Sequence, residues 1–202
     1  ARWSKSYYDY DISLHSFFGY GRAPSIDIKI IDGLINYAPN YQRVRQLGGT
    51  FQRTLDSTLL KLEWIVRDGE KDSNLKRGGY FASVLGLEHT LFQSIRDNGD
   101  IGLLIEYNFD SRRSKSSDLL QDDIFIATRF VLNDAQNTEM LLGSIFDLDG
   151  DGQIFQLDFG RRLNDSLNLG IKGAVYQNGR IGSNLYLLRQ DSWLEVSLKK
   201  YF

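Results

Sequence analysis

Apolar residues recur at every second position through most of this chain, in runs separated by clusters of Gly, Asn, Asp and Ser. A period of two belongs to an extended strand, whose side chains point alternately to its two faces. The alternation predicts ten strands, with about 8–18, 41–55, 58–67, 79–91 and 100–109 in the first half. The second half continues with about 122–132, 138–147, 153–162, 166–176 and 191–202. In 100–109, Ile101, Leu103, Ile105, Tyr107 and Phe109 share one face, against Gly102, Glu106 and Asn108 on the other. Turn-forming residues between the runs mark consecutive hairpins. Both prolines, Pro24 and Pro39, fall in the segment 19–40, read as one long loop.

A soluble β-sandwich has the same period, so length and connectivity must choose. The runs span about 9–13 residues, against 5–6 for an average soluble strand and 9–11 for a tilted membrane strand. Counted back from the C-terminus, the connections alternate. Asn164-Asp165, 133–137, the segment near Asp97-Asn98-Gly99 and Asp56-Ser57 are short, whereas 177–190, 110–121, 68–78 and 19–40 are long. Only 148–152 breaks the order. Short turns at one end and long loops at the other characterise outer-membrane barrels. The expected fold is an all-β, antiparallel up-and-down transmembrane β-barrel. It forms a single domain over 1–202, of about ten strands or the C-terminal part of a larger barrel. Its apolar face would meet lipid, and its polar face would line a lumen. The charged lumen candidates are Lys61, Glu63, Arg67, Glu88, Glu106, Arg129, Glu139, Asp158, Lys172, Glu195 and Lys199.

Composition sharpens this picture in places. Mean hydropathy is −0.34, which a barrel tolerates because only alternate side chains face lipid. No run of about 18 apolar residues predicts a transmembrane helix. A net charge of −2 over 202 residues argues against a nucleic-acid partner, and zero cysteines exclude disulfides and thiolate metal sites. The start, Ala1-Arg2-Trp3-Ser4, is neither an initiator methionine nor a signal peptide, so a processed, truncated or partial chain is expected. Tyr7, Tyr8, Tyr10, Tyr107, Phe109 and Tyr201 sit toward strand ends, where membrane barrels carry aromatic girdles.

The ending Asp191-Ser-Trp-Leu-Glu-Val-Ser-Leu-Lys-Lys-Tyr-Phe202 resembles the C-terminal β-signal of bacterial outer-membrane proteins. Leu194, Val196, Leu198 and Phe202 match its alternating apolar positions, and Lys200 departs from them, a lysine that can snorkel at an interface. The region from Tyr41 to Phe202 is also similar to the C-terminal portion of uncharacterised proteobacterial outer-membrane proteins. That likeness lies in Lys61-Leu-Glu-Trp-Ile-Val-Arg-Asp-Gly69, Gln121-Asp-Asp-Ile-Phe125 and Leu132-Asn-Asp-Ala-Gln-Asn-Thr-Glu139. The resemblance implies a location in the Gram-negative outer membrane, contact with its lipid and lipopolysaccharide, and the barrel assembly machinery as a partner during biogenesis. It implies no activity.

Candidate chemistry is sparse. Asp147, Asp149 and Asp151, with Gly152, Ile154 and Asp158, fit the spacing of a calcium loop of EF-hand type. The flanking residues alternate as strands, so an Asp/Gly-rich hairpin turn is the plainer reading, with calcium on the loop as the alternative. No other cofactor is expected. His15 shares its predicted face with Asp11 and Ser13, the residue types of a hydrolase. Same-strand neighbours two apart nevertheless stand roughly 7 Å from each other, too far for a nucleophile–base pair. His89 is expected on the outward face near the periplasmic rim, as an interface residue. Arg112, Arg113 and Lys115 in the long 110–121 loop have the charge to meet phosphate groups of lipopolysaccharide, although such a run is more often a simply solvated loop. Gly19-Tyr20-Gly21 and Gly48-Gly49 lack the strand–loop–helix setting of a phosphate cradle. The expected function is a non-enzymatic passive pore or structural wall; the alternatives are a barrel-borne hydrolase using His15 and a soluble all-β ligand-binding barrel.

Overall fold

The structure, a computed structural model, describes residues 1–95, 98–116 and 118–202, with only the backbone of Asn184. It is all-β and antiparallel. Eleven strands form one sheet: β1 (Arg2–Tyr7), β2 (Tyr10–Tyr20), β5 (Arg43–Leu55), β6 (Thr58–Lys71), β7 (Arg77–Ile95), β8 (Gly99–Asp110), β9 (Asp122–Val131), β10 (Glu139–Asp147), β11 (Gly152–Asn164), β12 (Leu167–Asn178) and β13 (Trp193–Lys200). Between β2 and β5, the strands β3 (Ser25–Ile31) and β4 (Leu34–Asn40) pair only with each other. A five-residue helix, α1 (Asn184–Leu188), lies between β12 and β13.

Each sheet strand pairs with its neighbours in chain order, apart from the inserted hairpin. The ten predicted strands correspond to β2 and β5 to β13. Two corrections follow. Residues 2–7 add an eleventh strand, with Trp3 opposite Leu14 and Tyr7 opposite Tyr10. The segment 19–40 is not a plain loop. Asp32 and Gly33 both take positive φ, 52° and 78°, which closes a tight two-residue hairpin between β3 and β4. Phe202 lies beyond the end of β13.

One end of the sheet carries three two-residue turns, Tyr8-Asp9, Asp56-Ser57 and Asp165-Ser166, together with the longer connection 132–138 between β9 and β10. Tyr8 and Asp56 both sit at φ 49°, the left-handed region such turns require. The turn expected near Asp97 falls partly outside the described residues. The other end carries the β3–β4 hairpin, the loop 111–121 and the loop 179–192 with α1, but the long loop expected over 68–78 is mostly strand, since β6 and β7 extend into it and leave only the turn 72–76. Residues 148–151 form a short turn at that long-loop end, as their spacing predicted.

Candidate functional site

The pairing registers divide the sheet into two faces. Across one row, Leu60, Leu87, Ile105, Ile126, Ser144, Phe155 and Val175 follow each other from β6 to β12 on the same side, with Ser144 its one polar member. On this apolar face Leu194, Val196 and Leu198 continue the pattern on β13, exposed by 71%, 65% and 61%. Lys200 shares their side, with its Nζ 5.2 Å from the ring centroid of Phe202. No second layer covers this face among the described residues.

All eleven charged candidates lie on the opposite, polar face by the same registers. The structure brings several together: Lys172–Asp158 at 2.8 Å, Arg129–Glu139 at 3.1 Å and Lys61–Glu88 at 3.6 Å. These pairs are about half exposed and individually contribute little. Glu63, Glu106, Glu195 and Lys199 enter no ion pair among the described residues. Arg67 belongs to a longer network that crosses four strands. Its guanidinium donates to Gln46 Oε1 at 2.7 and 3.0 Å and to Glu70 at 3.0 Å. The Gln46 amide meets His15 Nε2 at 3.1 Å, and the Tyr80 hydroxyl donates to Glu70 at 3.0 Å.

Loops from the long-loop end fold onto this face. In the 111–121 loop, the Arg112 guanidinium lies 3.6 Å from the Tyr80 ring centroid and donates to Asp110 at 2.6 Å and Asp118 at 2.7 Å. Burial works against its charge, but hydrogen bonding to Asp110 and the nearby acidic groups hold Arg112 above its ordinary range. The Ser116 hydroxyl donates to Asp110 at 3.0 Å in the same buried knot. Beside it, α1 drives Leu185 against Ile145 and Ile154, joined by Leu120, Phe125, Tyr176 and Leu188. This is the hydrophobic core of the long-loop end. Gly152 makes it possible, since a Cβ there would stand 2.7–2.8 Å from Leu185. The Ser183 hydroxyl caps α1 by accepting from the Tyr186 N–H at 3.3 Å.

The hydrolase constellation is not assembled. Ser13 Oγ pairs with Thr50 Oγ1 at 2.7 Å, and His15 binds Gln46 instead. A cleft of about 420 Å³ runs beside His15, Thr50, Glu63, Asn108 and Leu120. His89 sits on the apolar face next to the 56–57 turn, 2.8 Å from Thr58 Oγ1 through Nδ1.

Asp147, Asp149 and Asp151 occupy a β-hairpin turn rather than a helix–loop–helix, and they diverge. Asp147 Oδ1 accepts the N–H groups of Asp149 and Gly150 at 2.9 and 2.7 Å. Asp149 lies 3.5 Å from Arg113, and Asp151 is 3.0 Å from Arg180. Among the described residues no three acidic or histidine side chains converge as a metal site. Arg113 also pairs with Asp122. Arg112 is almost buried, so of the three basic residues expected to meet phosphate it is the one turned inward.

No known family, curated protein or solved structure matches the chain.

Residue by residue, sequence reasoning missed the buried polar groups Asp110, Ser116, Asp122 and Asp123. Asp122 and Asp123 had one available signal. They stand at the mouth of an apolar-alternating strand, where an acidic pair is unusual unless a loop covers it.

Proposed function

We propose that this chain forms a wall of an outer-membrane β-barrel, its apolar face against lipid and its polar face around a charged interior. It acts as a passive pore or a structural membrane protein.

The uncovered apolar face carries this reading. A folded globular protein of 23.2 kDa exposes about 9,700 Å² by the usual scaling of surface with mass. This chain exposes 13609 Å². Forty-two large hydrophobic side chains are exposed, against six buried hydrophobic residues among those described. A soluble sheet buries its apolar face against another layer, and water would penalise leaving it bare by about 25 cal/mol for each Å². Lipid removes that penalty. Strands β2 and β5 to β12 are long enough to cross a bilayer at a tilt, and the three two-residue turns at one end, against the loops 111–121 and 179–192 at the other, fit the asymmetry of a barrel. Among the described residues no helix is long and apolar enough to cross a membrane; in this reading the strands do the spanning. The exposed ridge of Leu194, Val196 and Leu198 on the edge strand β13 supports its use as the segment offered to assembly machinery. Lys115 and Arg113 stand on the 111–121 loop on the side where lipopolysaccharide would lie.

Purified chain refolded into phospholipid vesicles should become resistant to carbonate extraction, and in planar bilayers should give discrete conductance steps. Steps absent while the chain stays membrane-embedded select the structural role. A chain that folds as a water-soluble monomer without detergent or lipid overturns the proposal.

A further inference from the structure

Asp123 is 1% exposed at the start of β9. Its Oδ2 accepts the backbone N–H groups of Gln121 and Asp122, while Oδ1 is buried with no hydrogen-bond partner. Directly across the β9–β10 register stands Asp147. Opposed residues on one face of an antiparallel pair have Cβ atoms about 4.5–5.5 Å apart. Asp147 commits its Oδ1 to the turn, holding the N–H groups of Asp149 and Gly150.

The two side chains therefore stand at opposed positions on the polar face, Asp123 buried and Asp147 partly exposed at the edge of the turn. The basic side chains around them are engaged elsewhere, Arg113 with Asp122 and Asp149, Arg180 with Asp151, and Arg112 with Asp110. Facing like charges without a counter-ion are costly away from water. A hard divalent cation is the partner that two carboxylates at this spacing accept, with backbone carbonyl oxygens and water completing its shell.

We propose that Asp123 and Asp147 form a calcium-type divalent-cation site that ties β9 to β10 beneath the 111–121 loop. Asp147 alone is shared with the calcium loop expected from the sequence; Asp149 and Asp151 bind arginines and lie outside the site. The site is independent of whether the sheet spans a bilayer.

The test titrates calcium chloride into the folded chain, in detergent micelles or buffer, and follows thermal unfolding together with terbium luminescence as a direct probe of occupancy. At a hundredfold excess over Kd the unfolding midpoint should rise by about 5–10 °C. Asp123→Asn should abolish both the shift and the terbium signal, and Asp147→Asn provides the same readout should the first variant fail to fold. Asp151→Asn should retain both. No shift with calcium overturns the proposal, as does a shift that survives Asp123→Asn. So does an Asp123→Asn chain that, without calcium, matches the calcium-loaded parent, because a proton would then suffice.

Discussion

Ile105 offers the sharpest test of which face meets lipid. It is the third of five apolar-face residues on β8, with Ile101 and Phe109 four positions away on either side. Four residues at about 3.4 Å rise span roughly 14 Å of strand, or about 10 Å of depth at a tilt near 45°. An apolar band is about 25 Å tall, so Ile105 stands at its middle, flanked by Leu87 and Ile126. Ile105→Arg should therefore cost about 2–4 kcal/mol in a bilayer, a change of roughly 30- to 800-fold in the folding equilibrium. In water the same exposed position would tolerate the change within about 0.5 kcal/mol. The matched control is Gln156→Arg, on the polar face between Gly143 and Ala174, where small neighbours leave room. It should stay within about 0.5 kcal/mol. Reversible guanidinium unfolding in phospholipid vesicles measures both. Equal effects of the two arginines, or no cost for Ile105→Arg, would refute the assignment of faces.

Three further outcomes are expected. Arg112→Ala leaves Asp110 buried without its guanidinium partner and should cost about 3–5 kcal/mol, detected as faster proteolysis within 111–121; Asp110→Asn in the same chain should recover part of the loss. Leu185→Ala should cost about 2–5 kcal/mol of local stability by unseating α1 from Ile145 and Ile154, read as faster amide exchange over 184–188 and, in bilayers, larger conductance. Asp134, in the connection between β9 and β10, is held below the ordinary carboxylate value of 3.8 by the Thr138 N–H and hydroxyl and then by Arg161. A depressed folded-state value gives stability that is present above 3.8 and lost as pH falls through the lower folded-state value. The advantage of the parent over Asp134→Asn in unfolding midpoint should therefore vanish in that acid range and be constant at neutral pH.

The strands β5 to β13 were legible because a face that alternates over eight or more residues leaves little choice of register. β1 was not, since in six residues only Trp3 and Tyr7 are apolar and Lys5 stands opposite Ile12. The β3–β4 hairpin carried a strong local signal, Asp32-Gly33 between Ile26, Ile28 and Ile30 and the run Leu34, Ile35 and Tyr37. Pro24 and Pro39 masked it, yet Pro39 sits in a two-stranded ribbon, where an edge position dispenses with its missing N–H. Which face each charge occupies could be read from parity alone. Partnership could not. His15 binds Gln46 only because β5 returns beside β2, and Asp123 stands opposite Asp147 only because β10 pairs with β9.

The number of strands has its own geometric consequence. In a meander, direction reverses at each step, so the first and eleventh members of the sheet, β1 and β13, run the same way. Bending this sheet until its margins touch would produce a seam with slanted, evenly spaced hydrogen bonds, unlike any other junction in the molecule. A cylinder whose every junction is antiparallel has to interpose an odd number of additional strands between those margins.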